Sequence, residues 1–196
     1  MRNSSFPGGA SNVSACGAEP PTGAAPADAA TLPAGLYTAQ ITSTDNGSGV
    51  ALAEAYDGNF SDSSTKFTNL STRARTTSTQ AVIAGFVISG TGAQRILLRA
   101  VGPGLRPFGV PAALDRPTLG LFDKDGRLLA SNEGWTAGGL KADLTVAMNR
   151  VGAFPLAEGS TDCAMFIALP VGAYTAVISG AAGSDGEVLV EVYDLP

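Results

Sequence analysis

The stretch LPAGLYTAQITSTDNGSGVALAEAYD, residues Leu32–Asp57, is written a second time as LPVGAYTAVISGAAGSDGEVLVEVYD at Leu169–Asp194. The two stretches, hereafter the N-terminal and C-terminal repeats, align without a gap at an offset of 137, with 12 identities in 26 positions. Identity spread this way indicates an internal repeat rather than shared composition. In the N-terminal repeat, alternating segments at Leu36–Ser43 and Val50–Tyr56 flank a Gly-rich turn, which predicts a β-hairpin.

The repeat predicts three parts in the chain. Residues 1–31 are a low-complexity arm rich in Gly, Pro, Ala and Ser. Residues 32–57 are an orphan β-hairpin that duplicates 169–194, and residues 58–196 hold one complete unit. We therefore expect the orphan hairpin to be the closing hairpin of a missing upstream unit. A hairpin alone is marginally stable in water, so it must dock on a sheet, its own or a neighbour's.

Strand-like segments separated by turn residues dominate the complete unit. They lie near Lys66–Ser71, at Ala81–Gly90 and Arg95–Gly102 around a TGAQ turn, at Pro117–Phe122 and Arg127–Asn132 around DKDG, and at Cys163–Leu169, Ala173–Ser179 and Glu187–Tyr193. Only Gly139–Val151 places its apolar residues on one helical face. The pattern predicts an all-β fold, an antiparallel β-sandwich of about eight strands with one short helix, plus the extra N-terminal β-hairpin.

Composition narrows the possible functions. A net charge of −5 gives no attraction to nucleic acid or an anionic membrane, and no apolar run approaches the ~20 residues that span a bilayer. The chain contains no His, which removes most zinc and copper sites and the Ser–His–Asp and Cys–His mechanisms. Acidic residues such as Asp45, Asp123 and Asp185 occupy turn-like contexts. We therefore expect no enzyme, no nucleic-acid partner and no membrane insertion.

Three candidate sites remain open from the residues alone. Cys163, in an apolar strand, is either a buried thiol or, in an extracellular protein, the partner of Cys16 in a disulfide. The DKDG turn with Glu133 offers oxygens to calcium but lacks the other positions of a calcium loop, so a hairpin turn is favoured and no cofactor is expected. Trp135, the only tryptophan, either stacks on a sugar or packs over the end of the sandwich.

Five of the asparagines head an N-x-Ser sequon, which makes them candidate glycosylation sites if the source organism modifies such sequences. They are Asn3, Asn12, Asn46, Asn59 and Asn69. In such an organism the first third of the chain is a glycan-bearing surface.

Four stretches carry a resemblance to a known module. NLSTRARTTSTQAVIAGFVISGTGAQRILLRAVGPGL, LGLFDKDGRLLASNEGW, RVGAFPL and the C-terminal repeat together resemble the β-sandwich repeat module of large secreted bacterial proteins. The Leu-x-Leu-Phe-Asp strand, the DxDG turn and LPxGxYTAxISG are loosely similar to prepeptidase C-terminal type domains. The resemblance implies an antiparallel β-sandwich, secretion and a cell-surface or accessory role, and it brings no catalytic residues.

These observations predict a non-catalytic extracellular interaction module, the self-assembling subunit of a cell-surface fibre. Copies of the chain associate head-to-tail when the arm and hairpin of one molecule complement a sheet edge of the next. The expected assembly residues are Tyr37, Ala39, Ile41, Leu52 and Tyr56. The alternative is a carbohydrate-binding accessory module of a secreted hydrolase, with a polysaccharide as its partner.

Overall fold

A computed structural model of the chain describes residues 30–43, 47, 49–58 and 66–195, and these divide into two compact units between Phe67 and Thr68. The described residues form six strands and one α-helix. The strands are β1 (Asn69–Thr76), β2 (Val82–Val101), β3 (Pro117–Asp123), β4 (Leu128–Asn132), β5 (Cys163–Gly180) and β6 (Gly186–Leu195), and the helix is α1 (Lys141–Arg150). The all-β prediction is confirmed. No helix in these ranges has the length and apolar character to cross a membrane.

The strands form one antiparallel sheet in the order β1-β6-β2-β5-β3-β4. The predicted hairpin around TGAQ is wrong, because β2 continues through this turn and pairs with β5 along both of its halves. The register shifts between Ile88 and Ala93, where Gly90 and Gly92 have φ angles of 98° and 85°. These glycines therefore form a β-bulge, and β2 continues in the same direction beyond it.

The C-terminal repeat is not a hairpin either. Its two strands, β5 and β6, lie on opposite sides of β2 and are not neighbours in the sheet. In β5, Tyr174 lies opposite Phe86, whereas in β6 Glu191 lies opposite Arg99. The short 3₁₀ turn Ala181–Gly183 joins them. The repeated stretch is thus a pair of separate strands, and each of them needs its own neighbours.

Two clusters of apolar side chains lie on the two faces of β2. The first cluster draws on both halves of β2 and β5 and on β3 and β6, with Ile88, Ile96, Leu119, Met165, Ile178 and Val190 among its members. The second lies between Leu97 and Val101 of β2 and the buried residues of α1. The segment Ile96–Val101 of β2 is buried on both faces, which explains its mostly apolar sequence. The predicted helix is confirmed, with Leu144, Ala147 and Met148 buried.

The described residues of the N-terminal repeat do not show the predicted hairpin. None of its described residues belongs to a strand, and the side chains of Leu36, Val50 and Leu52 are almost fully exposed. The C-terminal repeat supplies the physical reason. Its two strands do not pair with each other but with strands that are distant in sequence. The N-terminal repeat has a similar sequence, so its two segments are not expected to pair with each other as a β-ladder either.

Candidate functional site

The two repeats make the same short-range side-chain contacts. The hydroxyl of Tyr37 donates a hydrogen bond to the carbonyl of Pro33 at 2.7 Å, and Tyr174 donates to the carbonyl of Pro170 at 2.9 Å. A second contact is also shared. Tyr56 donates to Glu54 Oε1 at 3.0 Å, and Tyr193 donates to Glu191 Oε1 at 2.7 Å. These bonds span two to four residues, so each repeat forms them from its own sequence.

The first strand of the repeat keeps its core-facing residues in both places. In β5 these are Leu169, Tyr174, Ala176 and Ile178, all buried in the first cluster. The N-terminal repeat has the same four residue types, at Leu32, Tyr37, Ala39 and Ile41. Tyr174 is 7% exposed and Ile178 is 0% exposed, whereas Tyr37 and Ile41 are 56% and 58% exposed. The N-terminal repeat thus exposes to solvent the residue types that are buried in β5.

The second strand of the repeat differs on one face. Val188 and Val190 of β6 are buried in the first cluster, and their counterparts are the smaller Ala51 and Ala53. On the other face the repeat keeps Leu, Glu and Tyr, at Leu52, Glu54 and Tyr56. The segment Val50–Tyr56 therefore has smaller apolar side chains than β6 at one set of alternate positions and the same Glu-x-Tyr pair at the other set.

The Glu191–Tyr193 pair of the C-terminal repeat lies beside a buried arginine of β2, Arg99. The positive charge of Arg99 compensates the negative charge of Glu191. Nε of the fully buried Arg99 lies 3.1 Å from Glu191 Oε2, and its Nη1 donates to the carbonyl of Phe154 at 2.9 Å. The guanidinium carbon lies 4.5 Å from the centre of the Phe154 ring. Arg99 Nε and Glu191 Oε2 are close but not aligned as a hydrogen bond, so we treat the contact as an ion pair. Burial, followed by the hydrogen bond to Glu191, raises the pKa of Tyr193.

The corresponding pair in the N-terminal repeat lies in solvent. The hydrogen bond with Glu54 is the main cause that raises the pKa of Tyr56. Within the described residues, no Lys or Arg forms an ion pair with Glu54. The repeated Glu-x-Tyr pair is thus present twice, once with a buried cation beside it and once without.

Trp135 does not lie at the surface. Its side chain is 3% exposed within the second cluster, and its ring N–H donates to the carbonyl of Ala157 at 2.9 Å. A ring buried in this way is not available to stack on a sugar. Of the two sequence-based interpretations, packing is the one that the structure shows.

Cys163 is a free thiol that is fully buried in the sheet. Its sulfur lies 3.1 Å from the carbonyl oxygen of Pro117 and 3.2 Å from that of Asn132, and burial raises the pKa of the thiol to about 12. The predicted disulfide is therefore not formed at Cys163. Cys16, the predicted partner, lies outside the described residues.

The DKDG segment forms the β3–β4 hairpin turn. Asp123 Oδ1 accepts the backbone N–H groups of Asp125 and Arg127 at 3.0 and 2.9 Å, and Gly126 has a φ of 76°. The hydrogen bond from the Arg127 backbone is the main cause that lowers the pKa of Asp123. In the part of the chain that the structure describes, no three or more His, Cys, Asp or Glu residues group together as metal ligands.

Of the five sequons, only Asn69 lies within the described residues. It is exposed at the start of β1, and its side-chain amide donates to the carbonyl of Val192 at 3.4 Å. Asn3, Asn12, Asn46 and Asn59 lie outside the described ranges.

Sequence reasoning missed two buried charged residues. Asp162 Oδ1 accepts the backbone N–H groups of Gly102 and Gly104 at 2.8 and 3.1 Å and so holds the loop after β2 in place. Arg99 could have been found, because an arginine inside the apolar run RILLRAV requires a buried acidic partner. The repeated Glu-x-Tyr pair supplies that partner.

The arrangement of the N-terminal repeat is suited to strand pairing and burial. Its first segment, Leu32–Ile41, has exposed apolar side chains, and its second, Val50–Tyr56, contains Glu54, whose counterpart Glu191 is ion-paired in β6. No protein-family model matches this chain, and no curated protein does.

Proposed function

We propose that this protein is a non-catalytic extracellular structural module that associates with copies of itself, as the repeating subunit of a cell-surface fibre. One observation carries the proposal: Tyr37, Ala39 and Ile41 repeat the core-facing residues of β5 but are exposed. Burying one side chain of the size of Ile contributes about 1.5–3 kcal/mol. Docking of this strand on a sheet is therefore favourable, and the resemblance to secreted repeat modules supports the extracellular setting.

The mechanism that we propose is strand addition at an open sheet edge. Among the described strands, β1 and β4 end the sheet, and the Val82–Ile88 half of β2 pairs with β5 alone. Such edges present unpaired backbone N–H and C=O groups. The donor segment and the acceptor edge are different surfaces, so the contact is head-to-tail. A contact of this kind propagates as a filament unless it closes into a ring.

We further propose that the sheet folds over at the bulge in β2 into a two-layer antiparallel sandwich. One layer then contains β1, β6 and the halves Ala93–Val101 of β2 and Cys163–Pro170 of β5. The other contains Val82–Ile88, Gly172–Gly180, β3 and β4. Apolar residues from both halves of β2 and β5 share one cluster, which supports two facing layers. Counted in this way, the two layers hold eight strand segments.

The alternative function, carbohydrate binding, was inferred from Trp135. This residue is buried and so is not available to stack on a sugar. We therefore place self-association first. A polysaccharide-retention assay distinguishes the two functions: a monomer that is retained on polysaccharide supports the alternative.

The test is a concentration series by sedimentation velocity on the wild-type chain and on Ile41→Asp. We expect the wild type to associate with increasing concentration. Ile41→Asp should weaken this association at least about tenfold, because burying an ionised carboxylate without a partner is strongly unfavourable. Gln40→Asp is the matched control, because it adds the same charge on the opposite strand face. A wild type that stays monomeric throughout, or equal effects of the two variants, contradicts the proposal.

A further inference from the structure

When the N-terminal repeat joins a sheet of another molecule, that sheet must compensate the negative charge of Glu54. In the C-terminal repeat its counterpart, Glu191, lies directly opposite Arg99 on the neighbouring strand, and both side chains are buried. A carboxylate that becomes buried without a cation is strongly destabilising. Any sheet that takes in the strand Val50–Tyr56 therefore needs a basic residue beside Glu54.

The Arg99 site of another molecule does not meet this need. It is occupied by that molecule's own Glu191. Exchange of the two strands would place Ala51 and Ala53 where Val188 and Val190 fill the first cluster. The cavities left behind make exchange unfavourable, since a large-to-small change in a core loses both transfer and packing energy. An associating molecule must therefore offer an edge that is open.

The strand β1 is such an edge, and it carries the required charge. It is the outermost strand of the sheet, pairing with β6 on one side, and no described strand pairs with its other side. It contains Arg73 and Arg75 but no acidic residue, and both arginine side chains are mostly exposed. The segment Val50–Asp57, in contrast, contains Glu54 and Asp57 but no basic residue. The two strands are thus of opposite charge.

The side-chain alternation of β1 also suits this strand. In the folded unit β1 already pairs with β6, the counterpart of Gly49–Gly58, with Ser71 opposite Glu191 and Arg73 opposite Leu189. Arg73 and Arg75 therefore share a sheet face with the positions that correspond to Leu52, Glu54 and Tyr56. If a strand of this sequence is added along the other side of β1 with the same face orientation, Glu54 comes within cross-strand reach of an arginine.

We infer that Gly49–Tyr56 of one molecule binds along the open edge of β1 in another molecule, with Glu54 paired to the guanidinium groups of Arg73 and Arg75. The inference rests on the proposed self-association and specifies its acceptor edge. The ion pairs that these arginines make in the isolated unit, with Glu187 at 3.5 Å and Asp185 at 2.7 Å, lie at the surface. Such exposed pairs are weak and can rearrange on docking.

A charge-swap experiment on the full chain tests the inference. Glu54→Arg, and separately Arg73→Glu combined with Arg75→Glu, should each weaken association about tenfold or more, because like charges then face each other across the contact. An equimolar mixture of the two variants should regain growth as an alternating assembly. In that mixture the donor segment of each variant meets an edge of opposite charge on the other variant. All three changes in one chain should restore growth, as measured by sedimentation velocity.

The control changes the same charges at the opposite end of the sheet. Lys124→Glu combined with Arg127→Glu alters two exposed side chains in the β3–β4 turn and should leave association unchanged. If the wild type associates and Ile41→Asp disrupts it, but the β1 variants behave like the wild type, the inference is overturned and the proposed function stands. Swaps that shift the melting temperature without changing the mass place the contact within one chain and also overturn it. A wild type that never associates overturns both.

Discussion

The two repeats have much the same sequence but different environments. Both form the tyrosine hydrogen bond to the carbonyl of the preceding Pro and the tyrosine–glutamate pair. Among the described residues of the two repeats, only those of the C-terminal repeat form strands, and Tyr174 and Ile178 are buried whereas Tyr37 and Ile41 are exposed. Contacts between residues a few positions apart therefore form in either setting. Burial requires strands from far along the chain, and the described structure supplies these once.

The long central strand β2 accounts for this difference. It pairs with β5 on one side and with β6 on the other, so it supplies neighbours to both halves of the C-terminal repeat. It also contributes Arg99, which compensates Glu191. The N-terminal repeat lacks an equivalent among the described residues of its own unit. The same substitution should therefore have different effects in the two repeats.

The largest contrast is expected at the paired isoleucines. Ile178→Asp places a charge in a fully buried position of the first cluster and should lower the free energy of unfolding by more than about 4 kcal/mol. Ile41→Asp should leave the stability of the dilute protein unchanged, because Ile41 is exposed. Urea unfolding followed by circular dichroism measures both. Equal losses in the two variants would show that the N-terminal repeat serves the core of its own chain.

A smaller contrast is expected at the paired valines and alanines. Val188→Ala and Val190→Ala convert β6 towards the N-terminal sequence and should each destabilise the unit by about 2 kcal/mol, through loss of buried apolar atoms and residual cavities. The reverse changes, Ala51→Val and Ala53→Val, should not alter the melting temperature. If the β6 variants melt like the wild type, the argument against strand exchange no longer holds.

The smallest contrast concerns tyrosine ionisation. Glu54→Gln should return the pKa of Tyr56 towards its ordinary value, because the hydrogen bond to Glu54 is the main cause of the increase. Glu191→Gln should leave the pKa of Tyr193 raised, because burial is the main cause there. Absorbance titration of tyrosinate in each variant measures this, with Tyr56→Phe and Tyr193→Phe to assign the signals. Equal shifts at both tyrosines contradict the difference in burial.

The raised pKa of Tyr193 also has a consequence for stability. The folded state holds the phenol proton more tightly than the unfolded state, so the unfolded chain ionises first as the pH rises. The contribution is fully present below the ordinary tyrosine pKa and is lost above it. The exposed Tyr56 should contribute little to this loss, so Tyr193→Phe should reduce the decline in stability at high pH more than Tyr56→Phe.

Several elements follow from short stretches of sequence. The spacing of Leu144, Ala147 and Met148 predicts α1, and the DKDG turn forms because Asp123 accepts nearby backbone N–H groups and Gly126 adopts a positive φ. The predicted hairpin around TGAQ is wrong because the glycines there, which adopt a positive φ, suit both a chain reversal and a bulge. The outcome depended on whether β5 pairs with both halves of β2, which no local pattern shows.

Residue order along the chain was enough to predict an antiparallel β protein with a repeated strand pair, since alternation and turn residues depend on near neighbours. The tertiary structure decided which strands pair, and so separated the two strands of the repeat on either side of β2. It also buried Trp135 and placed Arg99 beside Glu191. These outcomes depend on contacts between residues far apart in sequence. Such contacts form only when the whole sheet assembles, and for this reason the two repeats differ in burial despite their shared sequence.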